Sequence, residues 1–187
     1  MVTLTELLWA LIGLLLTIGG SFIQASIYSP FLGIHDLKVT YQIGAVLLVG
    51  CLGGKNAGVI SQVAYIALGL AGFQLFSQGG GIGYFLKPTF GYLLGFIPGA
   101  WVCGYLAFRS APRLEWLALS CLAGLATIHA VGALYLAIAH GLKFPEAGKL
   151  PLGQALLTYS GYLLPGQLAV VCAIAVLAFL MRRVMFY

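Results

Sequence analysis

Apolar runs of about 20 residues, the length that crosses a bilayer as an α-helix, follow one another along this chain with few charges between them. Nine basic and four acidic side chains are spread over 187 residues, so that charged residues make up 7% of the chain. A soluble domain carries about 25%. So few charges cannot cover a water-facing surface of this size. A soluble enzyme, a disordered tail and a nucleic-acid-binding module are thereby excluded, and the fold class is an all-α integral membrane protein.

Glycine and proline punctuate the runs and predict six transmembrane spans in a single domain, residues 1–187. The spans are 4–27, 39–54, 57–76, 88–108, 114–140 and 154–181, with no room for an appended ATPase domain. No lysine or arginine precedes Lys38, so the first run reads as a retained helix and not as a cleaved signal. Ser29-Pro30 and Gly33, with His35, Asp36 and Lys38, predict a wet loop. Gly53-Gly54-Lys55-Asn56 predicts a tight turn, and the Ser77–Tyr84 stretch is too glycine-rich for a stable helix.

Six spans put both termini on one side. Placing them in the cytoplasm puts Lys55, Arg109, Arg113, Arg182 and Arg183 inside, against Lys38, Lys87, Lys143 and Lys149 outside. All four arginines then fall on the cytoplasmic side, as positive-inside loops require.

Small residues recur every fourth position on two spans: Gly13, Thr17, Ser21 and Ala25 on the first, Gly91, Gly95, Gly99 and Cys103 on the fourth. Such ridges let helix backbones approach closely in lipid. They serve packing within the bundle or, in the sharper reading, dock a second membrane protein. Cys51, Cys103, Cys121 and Cys172 lie within apolar runs and read as small packing residues, so neither a disulfide nor a metal site is expected, and no cofactor.

Two nucleotide motifs fail. Gly50 stands one residue too close to Gly54-Lys55 for a phosphate loop, with Asn56 where Ser or Thr belongs. Tyr84 takes the third glycine position of a dinucleotide fingerprint. Ser160 and His129, on neighbouring spans, are the pair on which an intramembrane enzyme would be built; the alternative for His129 is a neutral, hydrogen-bonded bundle residue.

Polar side chains within spans face the bundle interior or a cavity. Gln24 and Gln62 read as interhelical hydrogen-bond partners. Gln42, Thr89 and Gln167 each fall near the outer end of a span, with Thr40 close by, where Tyr41, Tyr84, Tyr92 and the glycine loop converge with them. A glutamine offers donor and acceptor together, which suits a neutral amide or urea.

The stretch Gly79-Gly80-Gly81-Ile82-Gly83-Tyr84, followed by Pro88-Thr89-Phe90-Gly91-Tyr92-Leu93-Leu94-Gly95-Phe96, resembles the signature of the BioY family. Val39-Thr40-Tyr41-Gln42 and Leu164-Pro165-Gly166 extend the likeness over residues 20–178. Members of that family are biotin-specific substrate-binding (S) components of energy-coupling factor (ECF) transporters. The resemblance implies a six-helix bundle with both termini cytoplasmic, biotin bound near the outer face, and association with a transmembrane coupling protein and two cytosolic ATPases. It also implies that the ridge Gly13, Thr17, Ser21 and Ala25 contacts the coupling protein. The substrate-binding residues expected on this reading are Thr40, Tyr41, Gln42, Gly79, Gly80, Tyr84, Thr89 and Gln167, with Gln78 and Tyr92 added for their nearness to the motif, Lys87 as a substitute cation, and backbone donors of the glycine loop closing over the ligand.

Four positions depart from the pattern. Lys87 and Phe90 stand where the family has glycine, and Gln167 and Val170 stand where it has Asp and Lys. Gln167 is then expected to accept from a ureido N–H, and Lys87 to supply the missing cation. The alternative ligand is another small vitamin or a biotin precursor; a membrane scaffold without a small-molecule ligand is the remaining reading.

Overall fold

The computed structural model describes residues 3–29, 33–145 and 149–185. In chain order these form α1 (Leu4–Phe22), β1 (Gln24–Ser29), β2 (Gly33–Thr40), α2 (Gln42–Leu70), a 3₁₀ turn (Ile82–Leu86), α3 (Phe90–Ala107), α4 (Leu114–Gly141), α5 (Leu152–Leu156), a π-helical turn (Leu157–Gly161) and α6 (Leu164–Met185).

Five helical stretches among the described residues are long and apolar enough to cross a membrane, with Leu152–Met185 counted as one. Six were expected. The difference lies at α2, where the expected spans 39–54 and 57–76 fall in one helix broken at Gly54, which has φ 80° and ψ −179°. This backbone region is essentially restricted to glycine, and the chain turns back on itself there. Gln42 Nε2 donates to Tyr65 Oη at 2.8 Å, although 23 residues of straight helix would separate them by about 34 Å. A Cβ on Gly50 and one on Gly58 would each touch Ala100, which places the two arms of α2 against the same face of α3.

The first span also ends earlier than expected. Helix α1 stops at Phe22, and residues 24–29 pair antiparallel with 33–40 in a two-stranded ribbon, from Gln24↔Thr40 to Ser29↔Gly33, with an irregularity between Gln24 and Ser26. Hydropathy alone carried the helix on to Ile27, and the wet loop expected at 28–38 lies partly in this ribbon. Gln24, expected to bond between helices, is exposed on β1.

Both small-residue ridges are spent on internal packing. A Cβ on Gly95 would lie 2.8 Å from Ile128 O, and one on Gly99 3.0 Å from Gly124 O, so α3 rides directly on the backbone of α4. On α1, Gly13 faces Val49 and Ser61 of α2. Thr17 is buried and accepts from Gln62 Nε2 at 3.1 Å, which confirms Gln62 as an interhelical bonding residue. Ser21 reaches Leu75 O at 3.1 Å, and Ala25 is buried on β1 beside Val39 and Val170. The ridge expected to meet a partner is therefore covered by the chain itself. What α1 exposes is the opposite face, including Leu4, Leu8, Leu11 and Leu15.

The two ends of the bundle differ. At one end, Asn56 Nδ2 donates to Glu6 Oε1 at 2.7 Å, and Arg182 Nη1 to Ala107 O at 2.7 Å. The start of α1, the reversal of α2, the end of α3 and the end of α6 thus meet there. At the other end lie the ribbon, the 71–89 connection and the π turn. In the core near the first end, the thiols of Cys51, Cys103 and Cys121 come together, Cys51 Sγ lying 3.5 Å from each of the other two. Three small side chains from three helices fill one layer there.

Candidate ligand site

A cavity of about 330 Å³ lies at the ribbon end, within the about 300–1,000 Å³ span of small-molecule sites. Its wall is built from the end of β2, the start of α2, the 71–89 connection, the first turns of α3, the π turn and the start of α6. Of the residues singled out in the sequence, Thr40, Gln42, Gln78, Tyr84, Thr89, Tyr92 and Gln167 line it. Distant stretches of the chain converge there because the fold brings the ribbon-side ends of α2, α3 and α6 together.

Four sequence expectations are corrected. Tyr41 caps α2 and is 39% exposed, outside the wall. Gly79 and Gly80 also stand outside it. Two of the loop's donors are spent within the turn: Gly79 N–H bonds Phe76 O at 3.0 Å and Gly81 N–H bonds Gly69 O at 2.8 Å. The glycines serve the turn itself, with φ of 112° at Gly79 and 93° at Gly81. Lys87 is not itself in the wall but stands behind it, its Nζ donating to Gln78 O at 2.8 Å and lying 4.9 Å from the centre of the Tyr84 ring, both wall residues.

Hydrogen bonds orient both glutamines at the wall. Gln42 spends an N–H on Tyr65 Oη, whose own hydroxyl donates to Leu75 O at 2.9 Å, leaving Gln42 Oε1 as the acceptor at the wall. Gln167 is set the opposite way. His129 Nε2 lies 2.6 Å from Gln167 Oε1, an atom that only accepts, so Nε2 carries a proton and donates it there. His129 Nδ1 lies 2.9 Å from Ser160 Oγ, and Ser160 Oγ lies 2.8 Å from Tyr92 Oη. The bond from His129 leaves Gln167 with its N–H₂ group and the second lone pair of Oε1 free, so it can donate to a ligand carbonyl as well as accept from a ligand N–H.

The same chain bears on the Ser160–His129 pair. The two are in contact, and His129 is held between Ser160 on one ring nitrogen and Gln167 on the other. Its place is that of the hydrogen-bonded bundle residue.

Tyr84 completes the wall. Its hydroxyl lies 3.2 Å from Thr89 Oγ1, and burial pushes its phenol above the usual range, which keeps it a neutral donor. Leu93, Phe96 and Leu163 supply apolar surface. The first two follow Thr89 at helical spacing of four and seven, a signal present in the sequence. Lys38, Ser77 and Tyr159 also line the cavity, and no spacing in the sequence marked them.

The 71–81 segment is anchored at Leu75 O, which receives both Tyr65 Oη and Ser21 Oγ. Tyr65→Phe removes one of these donors and the partner of Gln42. A loss of about 1 kcal/mol in stability is expected, read as a lower unfolding temperature in detergent; unchanged unfolding would show that the anchor carries no weight.

Long apolar helices around a cavity of small-molecule size define a multi-pass membrane protein with a ligand-sized pocket at one end of its bundle. The same fold is seen in the crystal structure of the S-component for biotin from an ECF-type ABC transporter, with a TM-score of 0.73, 21% sequence identity, and coverage of 95% of this chain and 90% of that one. The chain belongs to the BioY family, whose sequence pattern matches residues 1–186. It is 46% identical over 101 residues to the "Probable biotin transporter BioY" of Lysinibacillus sphaericus, an alignment spanning 54% of this chain and 52% of that protein. It is 31% identical over 125 residues to the biotin transporter BioY of Rhizobium etli, covering 62% of this chain and 67% of the relative. The chain thus spans about half the length of the first relative and two thirds of the second.

Proposed function

We propose that the chain is the biotin-binding S component of an ECF-type transporter in the plasma membrane, a binding subunit for uptake without chemistry of its own. The observation that carries the reading is the opposed setting of two glutamines in one cavity wall. Gln42 Oε1 accepts and the Gln167 N–H₂ group donates, which matches a ureido ring with its N–H groups and carbonyl. Tyr92, Leu93 and Phe96 suit the thiophane ring and methylene tail. The names of the relatives supply the ligand that this chemistry fits.

In this reading the two arms of α2 cross separately, giving six crossings. The end holding Lys55, Arg109, Arg182 and Arg183 is cytoplasmic and the cavity opens outward, in keeping with the positive-inside rule. A transmembrane coupling protein and two cytosolic ATPases complete the transporter. The exposed apolar face of α1 is available to the coupling protein, whereas its small-residue ridge is not.

Thermal unfolding of the purified protein with biotin, riboflavin and thiamine tests the proposal. A ligand at 100 times its dissociation constant adds about 2.7 kcal/mol to the native state, a readily measured shift. Stabilisation by biotin alone is the expected result. A shift with another vitamin, or none with saturating biotin, overturns the assignment.

A further inference from the structure

Building on the biotin reading, we propose that Lys38 is the residue that selects the ligand's carboxylate tail. Among the described residues it is the only charged side chain in the cavity wall. The position at the last helix where the family carries a lysine is here Val170, which is buried in a small apolar cluster with Ala25 and Val39. It cannot bind an anion. Lys87, the cation nearest in sequence to the ligand motif, is already bonded to Gln78 O and stands outside the wall.

The backbone at Lys38 gives independent support. Its φ is 56°, a left-handed conformation uncommon for a side chain other than Gly, Asn or Asp. The conformation is held by Asp36, whose Oδ1 accepts the Lys38 N–H at 2.8 Å. Residues held in such conformations cluster at ligand sites, where surrounding bonds over-determine them. Here the bend falls two residues before the end of β2, at the point where the strand delivers Lys38, Val39 and Thr40 to the cavity. No described side chain forms an ion pair or hydrogen bond with the Lys38 ammonium, since the Asp36 carboxylate contact is to its backbone.

An ammonium at the ribbon rim and two amides on α2 and α6 divide the ligand between them. The amides hold the neutral planar head, and Lys38 holds an anionic tail end. The site then takes a neutral ureido head with a carboxylate tail and discriminates against the same head on an uncharged tail.

Affinities of biotin, biotinamide (neutral tail) and norbiotinamine (cationic tail) test this by titration calorimetry on the intact protein. Wild type is expected to prefer biotin to biotinamide by about 10- to 100-fold, the worth of a hydrogen bond to a charged group. Lys38→Gln should bring biotin down to the biotinamide level while biotinamide itself binds as before, which also shows that the variant is folded. Lys38→Arg should restore much of the preference, and Lys38→Glu should turn it toward norbiotinamine. A Lys38→Gln protein that keeps the full preference overturns the proposal, above all if Lys87→Gln loses it. Equal affinity of wild type for biotin and biotinamide also overturns it but leaves the biotin reading intact. Failure of wild type to bind any of the three overturns that reading and this inference with it.

Discussion

Replacing Gln167 by leucine is expected to weaken biotin binding by about tenfold and to lower stability by about 1 kcal/mol. The first effect follows from the lost bond between the Gln167 N–H₂ group and the ureido carbonyl, worth about 0.5–1.5 kcal/mol, where each 1.4 kcal/mol is tenfold in affinity. The second follows from His129: its Nε2–H, now bonded to Gln167 Oε1 at 2.6 Å, would lose that acceptor, and for a half-buried group beside the cavity the cost is the net worth of the bond, about 0.5–1.5 kcal/mol. Gln167→Glu separates the two effects. A carboxylate still accepts from His129 but offers no N–H to the ligand, so stability should recover further than affinity does. Titration and thermal unfolding of both variants read this out. If Gln167→Leu binds biotin as wild type does, the opposed-glutamine geometry is not what holds the head group.

The second large effect is structural. A Cβ at Gly104 would lie 2.5 Å from Lys55 N and 2.7 Å from Gly54 C. These are backbone atoms at the reversal of α2 and have no side-chain freedom with which to yield. Gly104→Val should therefore push α3 off the turn and cost at least about 3 kcal/mol, the upper end for overpacking. Low yield of folded protein and a sharply reduced unfolding temperature are the expected result. Gly141→Val is the matched control, because nothing lies within 4 Å of a Cβ at that position. Equal behaviour of the two variants would show that the contact at Gly104 relaxes without cost.

Much of the fold was written in composition. Scarce charge and long apolar runs fix the membrane class, and the glycine pair before Lys55 marks the reversal of α2 to within a residue. The ribbon was hidden because hydropathy does not distinguish a helical residue from an extended one: Phe22 to Ile27 is as apolar as the helix before it. The ridge on α1 was legible as a ridge, but a spacing of four cannot tell which neighbour covers it.

The site was legible where residue type and position coincide, as for Gln42, Thr89 and Gln167 near span ends. Proximity to a motif proved a poorer guide. Tyr41, Gly79, Gly80 and Lys87 sit beside wall residues in sequence, yet none of the four lines the wall itself. Lys38 was invisible for the converse reason, since a lysine beside a strand end looks like any solvated loop charge. The donor and acceptor faces of Gln167 depend on His129, 38 residues away, and no local pattern encodes that.

The π turn at Leu157–Gly161 bears on how such a pocket can change its preference. A π turn amounts to an α-helix with one residue too many, and Tyr159 and Ser160 reach the cavity wall and the His129 bond from within that surplus turn. Loss of a single residue there would restore regular winding and swing the preceding segment by about 100° about the helix axis, carrying both side chains off the site while leaving α6 and Gln167 in place. The pocket can thus be retuned by an insertion or deletion of one codon as well as by substitution, in a segment whose register the rest of the bundle does not share.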